Sequence, residues 1–174
     1  QTLIVDLAEE AENPSHRIVY SSNGITVSPP EDAERYRDGD EITVLDCPDT
    51  QGWRFAGWNT EPDGSGETAT PDSALVMAAS DIVLYAQWTE VYSATYDANG
   101  ADSGSVPDEA VWYANGETVV VLGNAGTLLR SGYTYIGWNT AADGSGTSYV
   151  ADDRFQMGSE EITLYAQWRE NVDY

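Results

Sequence analysis

The feature that most constrains this chain is a block of sequence carried twice. Residues 57–88 read GWNTEPDGSGETATPDSALVMAASDIVLYAQW and residues 137–168 read GWNTAADGSGTSYVADDRFQMGSEEITLYAQW. The two align without a gap at an offset of 80 residues, and half of their positions are identical. Self-similarity at a fixed period marks a duplicated structural unit. The copies share aromatic residues, turn glycines and a terminal apolar strand, but no histidine, cysteine or lysine. That is the inventory of a fold rather than of a reaction centre.

The offset divides the 174 residues into two small domains, at 14–90 and 91–170, with an extension at 1–13 and a tail at 171–174. At this size a core is attainable but thin. Six Trp and eleven Tyr suit it, because each buried aromatic removes roughly 150–250 Å² from water. The opening TLIVDLAEE resembles the closing TLYAQWRE of residues 163–170. It reads either as the last strand of a preceding repeat or as an extension packed on the first domain.

Within each unit the pattern is of strands and turns. Arg17–Gly24 and Ala94–Gly100 are extended runs ending in Asn–Gly, which supplies the positive φ of a tight turn. Gly39–Leu45 and Gly116–Leu122 are strands entered from a glycine turn. Trp53–Trp58 pairs with Tyr133–Trp138, and alternation places Trp53, Phe55 and Gly57 on one face, as it does Tyr133, Tyr135 and Gly137. The Asp–Gly–Ser–Gly stretches at 63–66 and 143–146 are turns. In the closing strands Ile82, Leu84, Ala86 and Trp88 share one face, repeated by Ile162, Leu164, Ala166 and Trp168. Glu31–Arg37 has room for about two helical turns and Leu128–Arg130 for a short one. The fold class is mostly β (α+β), with at most one short helix in each unit.

The run Tyr96–Gly100, Ser105–Pro107, Gly132–Asn139 and Leu164–Trp168 closely resembles the Listeria–Bacteroides repeat, a family that includes the B repeat of internalin B. The first unit matches it best from Trp53 to Trp88 and departs at Pro29–Pro30. The resemblance implies two tandem β-grasp-like domains, each a curved sheet packed on one short helix. It also implies a bacterial surface or secreted protein, in which such repeats serve as spacers or as adhesion and interaction modules.

Thirty acids stand against seven bases, all Arg, giving a net charge of −23. Such a surface repels nucleic acid and anionic lipid, keeps copies apart as monomers, and suits an extracellular or saline medium. Without lysine, no Lys–Asn isopeptide crosslink can form. No apolar run approaches the roughly 18 residues of a membrane span. The chain opens at Gln1 with no signal peptide, so the expectation is a segment of a longer protein at the cell surface or cell wall.

Reactive residues are scarce. His16 is the sole histidine, lying in a linker without a second ligand or base, so no catalytic triad is expected. Cys47 is a lone cysteine, excluding an internal disulfide and a paired-cysteine metal site. Asp152–Asp153, Glu160–Glu161 and the Asp38, Asp40, Glu41 group read as solvated surface rather than glycosidase pairs. The Asp63 and Asp143 loops, with Asn59 and Asn139, fall short of the six to eight oxygens of a calcium site. No catalytic residue, metal or cofactor is expected. The candidates for ligand binding are aromatic: Tyr85 and Tyr165 on the outer face of the closing strands, and Trp112 and Tyr113 in a polar loop with no counterpart in the first unit. They point to a partner that is a surface protein or a glycan. A carbohydrate-binding accessory module of a larger extracellular enzyme is the alternative function, and an acidic enzyme domain a distant third. Divergence between the copies directs the search for a site to Val27–Arg37 and Ala101–Asn115.

Overall fold

A computed structural model describes residues 15–108 and 111–172. The two readings of residues 1–13 lie outside the described residues. The chain divides into two compact units between Thr89 and Glu90.

The first unit contains β1 (Ile18–Ser21), β2 (Glu41–Thr43), β3 (Trp53–Asn59), β4 (Thr68–Ala69), β5 (Ala74–Val76) and the leading part of β6 (Ile82–Asp97). Parallel pairing of β1 with β6 sets Ile18 beside Ile82 and Tyr20 beside Leu84. β3 lies between β6 and β4 in the sheet, and β2 and β5 form a separate antiparallel ribbon. The second unit repeats the plan. It uses the end of β6 with β7 (Trp112–Ala114), β8 (Thr118–Val120), β9 (Tyr133–Asn139), β10 (Ser148–Tyr149), β11 (Arg154–Gln156) and β12 (Ile162–Glu170). Here Ala94–Asp97 of β6 pairs parallel with Ile162–Tyr165 of β12, β9 lies antiparallel to β12, and β8 and β11 make the ribbon.

No helix forms among the described residues. The short helix implied by the family resemblance is absent there, and so are the turns considered at Glu31–Arg37 and Leu128–Arg130. Tyr36 instead bridges antiparallel to His16, and Leu129 to Ser103. In the first case Pro29–Pro30 removes two N–H donors just upstream, and in both a β partner is within reach.

The closing strands follow their alternation: Leu84, Ala86, Leu164 and Ala166 are fully buried. β3 and β9 do not. Phe55 and Trp58 both enter the first core, and Tyr135 and Trp138 the second, though simple alternation places them on opposite faces. In the second unit the cause is a bulge. Gly137 pairs with Gln167 and Tyr135 with Trp168, leaving Ile136 as the extra residue, 49% exposed. Gly137 has φ 130° and Gly57 has φ 124°, a conformation open to glycine and strained for other residues.

The indole reaches a single residue in each unit. Trp58 donates its Nε1–H to the Leu45 carbonyl at 2.8 Å, while the Leu45 N–H donates to the Tyr20 hydroxyl at 3.0 Å. In the second unit Trp138 and Tyr96 hold Leu122 in the same way, both at 2.8 Å. The Tyr and Trp rings sit 4.7 Å apart at tilted angles in both units, a geometry that adds about 0.5–1.5 kcal/mol beyond burial. Phe55 and Trp88 extend the stack in the first unit, and Tyr135 and Trp168 in the second.

Substituting Gly137 tests the bulge. A Cβ there would lie 2.6 Å from the Tyr149 carbonyl oxygen, against 3.5 Å from the Ala69 oxygen at Gly57. We expect Gly137→Ala to lower stability by about 2–3 kcal/mol and Gly57→Ala by about 1 kcal/mol, read from urea unfolding of the full chain. Equal effects would refute the difference in crowding.

Candidate functional site

The loops after the two GWNT motifs are built around a buried amide. Asn59 Oδ1 accepts from the N–H groups of Glu61 and Gly66, both at 2.9 Å, and its Nδ2 donates to the carbonyls of Gly64 and Gly66. Asn139 repeats the set with Ala141, Gly144 and Gly146, and adds a bond to the Ser148 hydroxyl. Buried side chains with this many partners have no oxygen to offer a cation. Asp63 accepts from the N–H and hydroxyl of Ser65, and Asp143 from those of Ser145. These bonds hold both carboxyls below the usual carboxylate range. Among the described residues, no group of three or more His, Cys, Asp or Glu could hold a metal ion.

The Asn–Gly turns do more than reverse the chain. Asn23 adopts φ 52° and Asn99 φ 45°. Asn23 Nδ2 donates to the carbonyls of Ala86 and Pro62, and Asn99 Nδ2 to those of Ala166 and Ala142. Each side chain thus ties the first strand of its unit to the closing strand and to the GWNT loop. Sequence reading found the turn but not the brace, because nothing local distinguishes a working amide from a turn former.

Of the remaining reactive candidates, Cys47 is buried within the first core. Burial, with Asp46 and Asp49 nearby, pushes its thiol up, so it packs rather than attacks. His16 sits at the entrance to β1, with Nδ1 3.8 Å from Asp81 and its backbone bridged to Tyr36. The Arg17 N–H donates to the same Asp81 at 3.0 Å. Asp40 and Asp153 cap turns through the N–H groups of Arg37 and Val150.

The aromatic candidates fall on separate strands. Tyr85 and Tyr165 are half-buried on β6 and β12, opposite the core face. Trp112 and Tyr113 lie on β7, paired with Ser93 and Tyr92, and Tyr113 packs against Ala94, Val119 and Met157. The absence of a counterpart in the first unit is corrected here. His16 stands two residues before Ile18 as Tyr92 stands two before Ala94, so Tyr36 occupies the place of Tyr113. The surrounding residues share almost nothing else, which hid the match.

Open clefts mark other parts of the surface. One of about 520 Å³ runs beside β1, with Val19, Val27, Pro29, Pro30 and Asp32 in its walls; it coincides with the divergent Val27–Arg37 stretch. Another, of about 530 Å³, involves Tyr149, Phe155 and the Glu160–Glu161 pair. A smaller one, of about 370 Å³, opens between the Asn23–Gly24 turn and Trp53. Trp53 was not among the aromatic candidates; alternation placed it on one face with Phe55 and Gly57.

Comparison with known proteins adds the following. The family described as the Listeria-Bacteroides repeat domain matches residues 16–87 and 92–167. Two proteins of Evansella cellulosilytica are similar. One, provisionally named a Gly-rich membrane protein, is 48% identical over 127 residues, covering 70% of this chain and 14% of its own. The other, provisionally named a membrane protein, is 40% identical over 135 residues, covering 76% of this chain and 19% of its own. The chain therefore spans less than a fifth of the length of these relatives. A solved structure, Streptococcal High Identity Repeats in Tandem (SHIRT) domains 3-4 from cell surface protein, covers 90% of this chain and 96% of its own, at 13% identity and a TM-score of 0.27. No helix among the described residues is long and apolar enough to cross a membrane.

Two predictions follow from these groups. Asn139→Asp places a carboxylate against the carbonyls of Gly144 and Gly146, and should destabilise by roughly 3 kcal/mol; calcium should leave the melting temperature of the parent chain unchanged, and a rise would reinstate a metal role for the loop. The Tyr36 hydroxyl donates to Asp32 at 2.8 Å, and burial with that carboxylate raises its pKa from 10 to about 12. A folded pKa above the unfolded one means stability is complete below pH 10 and is lost as pH rises through 12. Melting curves from pH 9 to 12 should show this fall, with a shallower slope in Tyr36→Phe.

Proposed function

The chain belongs to the Listeria-Bacteroides repeat domain family, and from that premise we propose that it is a non-catalytic tandem-repeat segment of a bacterial cell-surface protein, acting as a spacer or an adhesion and interaction module. The observation that carries this reading is what the two units hold in common. Position by position they repeat the Tyr–Trp grip on one leucine, the buried Asn of the GWNT loop and the Asn–Gly brace. All of these groups serve the fold, and their side chains are occupied in doing so.

Other features support a place outside the cell within a longer protein. The names of the Evansella relatives, which are much longer than this chain, are those of membrane proteins. A net charge of −23 keeps copies soluble and apart. The partner would be a protein or glycan on a bacterial or host surface, and nucleic acid is disfavoured by charge. A carbohydrate-binding module is the second reading, favoured by the Trp53 cleft with Thr26, Thr50 and Gln51 in its walls. The half-buried rings of Tyr85, Tyr165, Trp112 and Tyr113 are further candidates for contact on either reading.

The purified chain should show no turnover of glycoside, ester or peptide substrates, and robust hydrolysis would falsify the non-catalytic reading. In the parent protein, replacing the two units with unrelated domains of equal length should preserve surface display. Loss of display would argue against a spacer or module that stands apart from anchoring.

A further inference from the structure

We propose that the cleft at Trp53 is a binding site for a guanidinium group, presented by an arginine side chain of a partner protein. The second unit shows the occupant. Thr50–Trp53 and Arg130–Tyr133 form the same turn: the Trp53 N–H donates to the Thr50 carbonyl at 2.8 Å and the Tyr133 N–H to the Arg130 carbonyl at 3.0 Å. Both turns carry a glycine with φ 79° at the third position, Gly52 and Gly132. In the second unit the Arg130 guanidinium carbon lies 4.2 Å from the centroid of the Tyr133 ring. The same carbon is 3.8 Å from where a Cβ on Gly100 would stand. The guanidinium is thus lodged between an aromatic face and the glycine of the Asn–Gly turn.

The first unit keeps both walls of that slot and lacks the filling. Its turn glycine is Gly24, around which a Cβ would meet nothing within 4 Å. Its ring is Trp53, and indole is the strongest of the aromatic partners for a cation. At the position of Arg130 stands Thr50, whose side chain is too short to reach over the ring. The open cleft of about 370 Å³ is what remains, lined by Gly24, Ile25, Thr26, Thr50, Gln51 and Trp53. Two hydroxyls and an amide oxygen among these can accept from the five N–H donors of a guanidinium. The planar group is preferred to an ammonium because it stacks on a ring while it donates in plane. A chain of net charge −23 draws such a cation in.

The site stands whether or not the units act as spacers, and the test reads it directly. The full chain, labelled with nitrogen-15, is titrated with N-acetyl-arginine amide, with its neutral isostere N-acetyl-citrulline amide, with a glycine-flanked arginine tripeptide, and with glucose. The arginine amide should give saturable shifts at Gly24, Gln51 and the Trp53 indole, weakening with added salt. Citrulline should bind at least tenfold more weakly, and the tripeptide at least as well as the amide. Thr50→Arg, which supplies the missing side chain in cis, should abolish the shifts and raise the melting temperature, as a folded control beside Trp53→Ala. Equal responses to citrulline, no saturable shift, or a Thr50→Arg protein that still responds would overturn the site. A tripeptide that fails where the amide binds would overturn the protein source, and glucose saturating the same resonances without arginine would replace the proposal with a sugar site.

Discussion

One residue in each unit has both of its backbone groups held by aromatic side chains at once, and most of the architecture is arranged to make that possible. The N–H of Leu45 is taken by a tyrosine hydroxyl and its carbonyl by an indole, as are those of Leu122. Past the end of a ribbon strand the backbone groups have no ladder partner, and any that is shielded from water costs about 1–3 kcal/mol if left unpaired. Here both groups are satisfied by rings that also supply the largest apolar area in the core. The tyrosine comes from the first strand of the unit and the tryptophan from its middle strand, so the grip joins segments far apart in sequence. The tryptophan can arrive only because a glycine bulge turns the strand before it. The second unit carries a cost that the first avoids. Where the first has Phe55, the second has Tyr135, whose buried hydroxyl has no hydrogen-bond partner among the described residues and whose pKa is pushed far up by burial.

Much of this plan is legible in the sequence, and the exceptions have physical reasons. The closing strands alternate without interruption, so Leu84, Ala86, Leu164 and Ala166 are placed by period alone. The family and the duplication are equally plain. Strict alternation fails at Gly57 and Gly137, because a bulge adds one residue without altering the composition that signals a strand. It therefore misplaces Trp58 and Trp138, the largest fully buried side chains. The equivalence of Tyr36 and Tyr113 is hidden for another reason. A backbone bridge requires extended chain at a given register and little of the surrounding sequence.

The candidate site was legible only in part. Divergence between the copies directed attention to Val27–Arg37 and Ala101–Asn115, whereas the difference on which the proposed site rests is a single residue, Thr50 against Arg130, in a segment too short and irregular to draw notice. The aromatics that did draw notice include Tyr113, which is half-buried and packs against the core of the second unit. A ring's function depends on what lies over its face, and that is settled by the turn opposite, 26 residues away at Gly24 in the case of Thr50. Internal comparison suggests the proposed site because one copy carries an arginine where the other has Thr50.

The pairing of first and last strands has a mechanical consequence. In each unit the chain enters on a strand that runs parallel to, and directly beside, the strand on which it leaves: Ile18–Ser21 beside Ile82–Tyr85, and Ala94–Asp97 beside Ile162–Tyr165. Tension applied through the two ends of such a unit pulls these neighbours past each other along their length. The inter-strand bonds are then loaded together in shear, rather than peeled apart one at a time as in a hairpin opened from its tip. Forced unfolding is governed by the height of the unfolding barrier rather than by equilibrium stability. A thin domain built this way can therefore resist extension out of proportion to the modest core that holds it at rest.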